Sequence, residues 1–321
     1  MVTAITNNNF QFLIFLQGFG MATKNSTDDY AFWVRLAAIF STSTALILVV
    51  IKLYAWLVTD SSAMLASTTD SILDLFASIM SIVILRFALA PADKEHSFGH
   101  GKAESLAGLV QASFVLGSAI ILIFNGISRV LNPQVIVQSE VAIWVTIISL
   151  ILTLILVVFQ RYVIKRTGSI IISGDALHYQ SDIFLNLGVL AAIILSQGIW
   201  LQADGVFTIL VALYLVFGAG QIMVQSVSQL MDSELSDEEL AQIRTIVLTH
   251  NQAIGIHELR TRQSGVQKFI QFHLELSDDL SLLEAHSIGD EIEARICNAL
   301  APCEVFIHQD PTSVVQNAQL K

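Results

Sequence analysis

Four side chains able to ligate a metal stand in two pairs, Asp70 with Asp74 and His178 with Asp182. Each pair lies in a long apolar stretch. Residues i and i+4 share one face of a helix, so each pair can present two ligands to one point. Three carboxylates and one imidazole are a tetrahedral set suited to a divalent ion such as zinc. Their setting is costly: one charged group near the bilayer centre costs about 2.5–3.5 kcal/mol or more, and such groups mark ion paths and proton relays. Asp70 falls too far inside its span to be an end-of-helix group. No Lys or Arg is expected in the central part of any span, with Lys52 placed near one end of the first. A dication, or protons in its place, is the simplest compensation. Metal ligands must be deprotonated, so the two occupants compete.

Two further clusters have metal-ligand spacing. Asp93, His96 and His100 stand three and four residues apart and converge if the segment turns helically; three ligands and an open position suit an accessible site. Toward the C-terminus come His257, His273, His286, His308 and Asp310. His257 and His273 are expected on adjacent strands, His308 and Asp310 on one face of a third at period two, and His286 on a helix. His250 reads as structural. No zinc-protease, serine-hydrolase or phosphate-loop signature occurs, and Gly99-x-Gly101 is too short to bind phosphate. The chain is not read as an enzyme.

The elements that must hold these residues follow from composition. Of 321 residues, 54% are hydrophobic and 13% charged, against about 25% charged in soluble domains. Mean hydropathy is +0.67. Six spans are expected, at 32–58, 63–89, 105–131, 141–160, 176–197 and 203–229, each long enough to cross about 30 Å of hydrocarbon. Turns are placed at Asp60, Asn132-Pro133 and 198–204 on one side, and loops at 91–102 and 161–166 on the other. Lys24, Arg35, Arg86, Lys94, Lys102, Arg161, Lys165 and Arg166 fall on the side shared by both termini, which the positive-inside rule makes cytoplasmic. Residues 1–30 form an N-terminal extension, expected to be disordered. Its apolar run 10–19 is too short to span, and the polar lead-in 24–29 suggests that translation starts at Met21.

From Asp232 onward there are 15 acidic and 6 basic residues, so nearly all of the net charge of −11 sits in the tail. That balance disfavours nucleic acid as a partner. Domains are placed at 31–232 (transmembrane), 233–315 (soluble α+β) and 316–321 (tail). Ser236 with Glu239 and Ser281 with Glu284 are capping boxes that open helices. Residues 256–263 and 267–276 read as a hairpin around Ser264-Gly265, and 304–308 as a last strand, giving the order αββαβ. Cys297 and Cys303 form no CxxC motif and are expected as reduced packing residues.

The runs LASTTDSILD at 65–74, PAD at 91–93 with HSFGHGKAE at 96–104, DALHYQSD at 175–182, LRTRQSG at 259–265 and IHQDP at 307–311 together resemble the cation diffusion facilitator family, over about residues 28–315. The resemblance implies a bacterial inner-membrane protein with both termini cytoplasmic. It would be a homodimer with a metallochaperone-like cytoplasmic domain. It implies alternating-access export of Zn2+, with Cd2+ and Fe2+ as further cargo, in exchange for protons. Asp70, Asp74, His178 and Asp182 would be the transport site. Asp93, His96 and His100 would form a loop site, and His257, His273, His286, His308 and Asp310 a binuclear site. The resemblance further makes Lys102 and Asp232 a charge pair at the dimer interface, and Leu177 a gate. A membrane-bound metal sensor is the competing class, but it has no need of ligands midway through the bilayer. A membrane-embedded zinc hydrolase would want an open coordination position and a general base.

Overall fold

The computed structural model describes the backbone of residues 3–59, 62–132, 140–196 and 202–319, the side chains at 3–27, 62–63, 66, 189–196, 204 and 316–319 aside. The turns expected at Asp60, from Pro133 and from Gly198 to Leu201 lie outside these residues. The chain forms two compact units, Phe32–Val227 and, with Met1–Ala31, Ser228–Lys321.

Six long helices come first: α1 (Thr3–Thr59), α2 (Ser62–Ala88), α3 (Lys102–Leu131), α4 (Glu140–Thr167), α5 (Ile170–Ser196) and α6 (Ala203–Leu230). Among the described residues, five stretches are long and apolar enough to cross a membrane: Asp28–Thr59, Ser67–Ala88, Lys102–Leu131, Glu140–Thr167 and Gly205–Leu230. α5 has 27 residues, about 40 Å at 1.5 Å per residue, the length of a sixth. Backbone from Thr3 is helical and runs unbroken into the first span, where the sequence suggests a disordered lead-in. No proline interrupts residues 3–59, so nothing local stops that helix.

The bundle is small inside and large outside. α3 buries Ala107, Gly108, Ala112, Ala119 and Gly126 while exposing Leu106, Phe114, Ile121 and Phe124. Lipid is as apolar as leucine, so helices associate through close packing of small residues rather than by hiding large ones. Among the described glycines, a close backbone-to-backbone approach joins α3 to α6. A Cβ on Gly205 would come within 2.7 Å of the Gly126 carbonyl oxygen, and one on Gly126 within 3.0 Å of the Gly205 carbonyl. At the other end of α3, buried Glu104 accepts from the Ser169 hydroxyl at 2.5 Å and from the Ile170 N–H at 3.1 Å. A carboxylate there satisfies an orphan donor and meets the positive end of the α5 dipole.

The second unit is an α+β domain: α7 (Asp237–Leu248), β1 (Gly255–Ser264), β2 (Gln267–Leu276), α8 (Leu282–Leu300), β3 (Cys303–Pro311) and α9 (Thr312–Gln319). Both capping boxes form, at Ser236/Glu239 and Ser281/Glu284. Gly265 takes φ 58° in the two-residue turn between β1 and β2, a left-handed conformation that glycine adopts without strain. The sheet order is β1-β2-β3, with β1/β2 antiparallel and β2/β3 parallel. Ile270, Phe272 and Leu274 alternate onto one face and pack with Ile243 and Val247 of α7 and Ile288, Ile292 and Ile296 of α8. That leaves the opposite sheet face for polar side chains.

The two cysteines depart from expectation: Cys297 and Cys303 are joined in a disulfide. The turn from α8 into β3 brings their Cα atoms to 5.4 Å, within the distance a disulfide spans. Six residues of separation carry no motif that would have announced this.

Candidate metal centre

α2 and α5 carry the candidate intramembrane ligands, one pair each, and the bundle brings them face to face. The His178 Nε2 lies 2.7 Å from the Asp74 Oδ1 and 4.0 Å from the Asp182 Oδ2. One ligand atom from each of Asp74, His178 and Asp182 falls within 4.8 Å of the others. All three side chains are partly shielded. Asp70 is one turn from Asp74 on α2 and more exposed; it interacts electrostatically with Asp74 and His178 without joining the tight cluster. Three of the four expected ligands therefore converge, with the fourth adjacent. Leu177, next to His178, is buried among Leu215, Ala219 and Ile222 of α6 and Ala112 and Val115 of α3. A Cβ on Gly218 would sit 2.7 Å from the Leu177 Cδ1.

The loop cluster also converges, by a different route from the helical turn that its spacing suggests. Asp93 Oδ1 accepts from the backbone N–H of His96 at 2.7 Å and of Glu95 at 2.9 Å, an Asx turn that folds the chain back on itself. Gly99, at φ 77°, completes the reversal in a conformation that suits glycine. His96 Nδ1 and His100 Nε2 then each lie 3.4 Å from an Asp93 carboxylate oxygen. The His96 N–H holds the Asp93 carboxyl below the usual carboxylate range, helped by Glu95 and the two imidazoles.

In the second unit the strand register sets three histidines in a row across the sheet: His257 opposite His273, and His273 opposite His308. They occupy the face turned away from α7 and α8. Asp310 gathers them. Its Oδ2 is 2.8 Å from His273 Nδ1 and 3.2 Å from His257 Nε2, and its Oδ1 is 3.2 Å from His308 Nε2. Burial pushes the Asp310 carboxyl up, but the hydrogen bond with His273 and the surrounding imidazoles win and hold it low. His286 stands apart within the chain. It is exposed on α8, which covers the other sheet face, with its Nε2 3.5 Å from Asp290. Lys102 and Asp232 belong to different units; Asp232 takes φ 57° and lies 3.7 Å from Arg262.

Two families together match most of the chain: the cation efflux transmembrane domain over residues 38–231 and the cation efflux protein cytoplasmic domain over residues 235–312. The chain belongs to the cation efflux family. Among relatives of the cation efflux family, it is 45% identical to the cation-efflux pump FieF of Shewanella oneidensis over 293 residues, 91% of this chain and 99% of that protein. It is 44% identical to the FieF of Pectobacterium atrosepticum, over 90% of this chain and 97% of that protein. Among solved structures, the Zn form of CzrB shares 32% identity over 26% of this chain and 94% of its own, with a TM-score of 0.25. Like other cation efflux proteins, the chain is a multi-pass membrane protein.

The bundle of this cation efflux protein holds further polar groups around the quartet. Lys52, near one end of the first span as expected, also reaches α2: its Nζ donates to Ser71 Oγ at 2.7 Å and approaches the Ser67 carbonyl at 3.5 Å. A cation therefore does stand beside the quartet. Asp175, one turn before His178, is buried and accepts from Gln160 Nε2 at 2.7 Å. Ser41, Ser78 and Tyr179 form a buried hydroxyl chain at 3.2 and 3.1 Å. The signal for Lys52 was its place within an apolar run, where an ionisable residue is functional by default.

Proposed function

We propose that this protein exports zinc from the bacterial cytoplasm across the inner membrane in exchange for protons, working as a homodimer by alternating access. The observation that carries this reading is the convergence of Asp74, His178 and Asp182 from two helices inside the bundle, with Asp70 one turn away. One imidazole among carboxylates favours zinc and cadmium over manganese, with iron(II) also compatible. An ion entering from the cytoplasm displaces the protons that these groups otherwise hold. On the opposite side protons return and the ion leaves, so an inward proton gradient drives metal outward. The sequence distribution of Lys and Arg supports cytoplasmic termini.

In this reading, Asp93, His96 and His100 hold a metal in the loop, with His96 accessible and His100 buried. His257, His273, His308 and Asp310 hold metal on the sheet face, with His286 as the expected further ligand of that binuclear site. A bound metal there supplies a charge that fixes the imidazoles in one arrangement; the chain's own part is to aim them through strand register. These sites sense the ion and stiffen the dimer, with Lys102 and Asp232 as its charge pair and Leu177 as the gate beside His178. Binding that favours one dimer packing shifts the bundle by its differential affinity.

Proteoliposomes test the reading. Zinc flux driven by a pH gradient and abolished by Asp74→Ala supports it. Correctly oriented, folded protein that binds zinc and carries no flux would sink it and favour a sensor.

A further inference from the structure

Lys52 is a feature of the bundle that the exchange reading leaves unused. It is an ionisable side chain in the first span, half-buried, and anchored by Ser71 Oγ at 2.7 Å and the Ser67 carbonyl at 3.5 Å. Ser71 directly follows Asp70, so the ammonium is held on the turn of α2 that carries that carboxylate. Its field reaches across the site, to Asp70 on α2 and Asp182 on α5. Holding a lysine there is costly unless its charge is used.

Charge arithmetic indicates the use. Three ionised carboxylates facing a dication leave one negative charge over, and the Lys52 ammonium supplies the matching positive charge. The same ammonium repels the dication, since both draw on the same carboxylates. A carrier must bind its ion well enough to load and weakly enough to let go. A fixed cation one helix away sets that balance without occupying a coordination position.

We infer that Lys52 is a tethered counter-cation of the intramembrane site, which shares its carboxylates with the transported ion and weakens the hold on it so that release is fast. The inference rests on the reading of Asp70, Asp74, His178 and Asp182 as the transport site. Lys52 is a positioning residue in this scheme: it acts through the carboxylates and not as a ligand.

The test uses the full chain in detergent, with zinc titrated at pH 8 against a chromogenic chelator. The Asp74-dependent component is the difference from Asp74→Ala. For Lys52→Gln, that component should tighten by about tenfold or more, as expected for removing a unit charge near a dication. In proteoliposomes KM and kcat for zinc should fall together, because release slows. Lys52→Arg, which keeps the charge, should restore wild-type values. An unchanged or weaker Asp74-dependent affinity in Lys52→Gln overturns the inference while leaving the transport site standing. Wild-type binding that is indifferent to Asp74→Ala overturns the site reading beneath it. If Lys52→Gln does not fold, Lys52→Met is measured instead; failure of both where Lys52→Arg folds makes the lysine structural and overturns the inference.

Discussion

The imidazole of His178 meets the carboxylate of Asp74 at 2.7 Å across 104 residues of sequence. Neither helix contains the site alone; α2 and α5 each bring a pair. Loss of either partner should therefore be severe. His178→Ala and Asp74→Ala are expected to cut zinc flux by more than the roughly 10–100-fold that losing a mere supporting partner costs, measured in proteoliposomes at equal reconstitution.

The imidazole is also the softest donor among these candidate ligands. His178→Asp converts the site to four carboxylates, which suit harder ions. Competition assays should show manganese gaining on zinc relative to wild type. An unchanged selectivity ratio would show that His178 does not set the preference.

On the sheet face, Asp310 joins three imidazoles through its two oxygens. Asp310→Ala and His257→Ala should flatten the response of flux to cytoplasmic zinc while leaving the Asp74-dependent binding intact. Isothermal titration on each variant separates the two effects. Full retention of the zinc response would remove the regulatory role.

The capping boxes make the cytoplasmic domain sensitive to acid. At Glu239 burial raises the carboxyl, but Lys268 and Ser236 outweigh it and hold it low; at Glu284 the Ser281 hydroxyl and N–H lower it. A depressed carboxylate contributes stability that is present above its unfolded value and lost as pH falls through its folded value. Glu239→Gln should thus lower the Tm of this domain at pH 7, and the deficit should shrink as pH drops below the ordinary 4.5. Thermal scans of the full chain across that window check the sign.

The glycine contacts differ in how easily they give way. A Cβ on Gly218 meets the end of the Leu177 side chain, whereas one on Gly205 meets the Gly126 backbone and the Val130 N–H at 2.7 Å. A leucine tip can rotate; a neighbouring helix backbone cannot. Gly205→Ala should cost about 1–3 kcal/mol of stability, the range for overpacking, and more than Gly218→Ala, read from Tm in detergent. Gly218→Ala should act on flux, through the residue beside His178.

Much of this was legible in the chain because the signals are local. Period 3.6 puts Asp70 above Asp74 and His178 above Asp182, and each S-x-x-E box announces its helix. Strand alternation placed His308 and Asp310 on one face. What stayed hidden depends on packing between elements. Lys52 is seven residues from the end of α1, and only the packing of α1 on α2 reveals that it reaches Ser71. The Asx turn at Asp93 is set by backbone donors that no spacing rule counts. Cys297 and Cys303 meet because α8 turns sharply into β3.

Glu104 has one more consequence. Its carboxylate fastens the start of α3 to the start of α5, and α3 begins two residues after His100. The start of the helix that carries His178 is therefore tied to the start of α3. Any tilt that re-aims the imidazole must either pivot about the Glu104–Ser169 clasp or carry α3, and with it the root of the histidine loop, along as one lever.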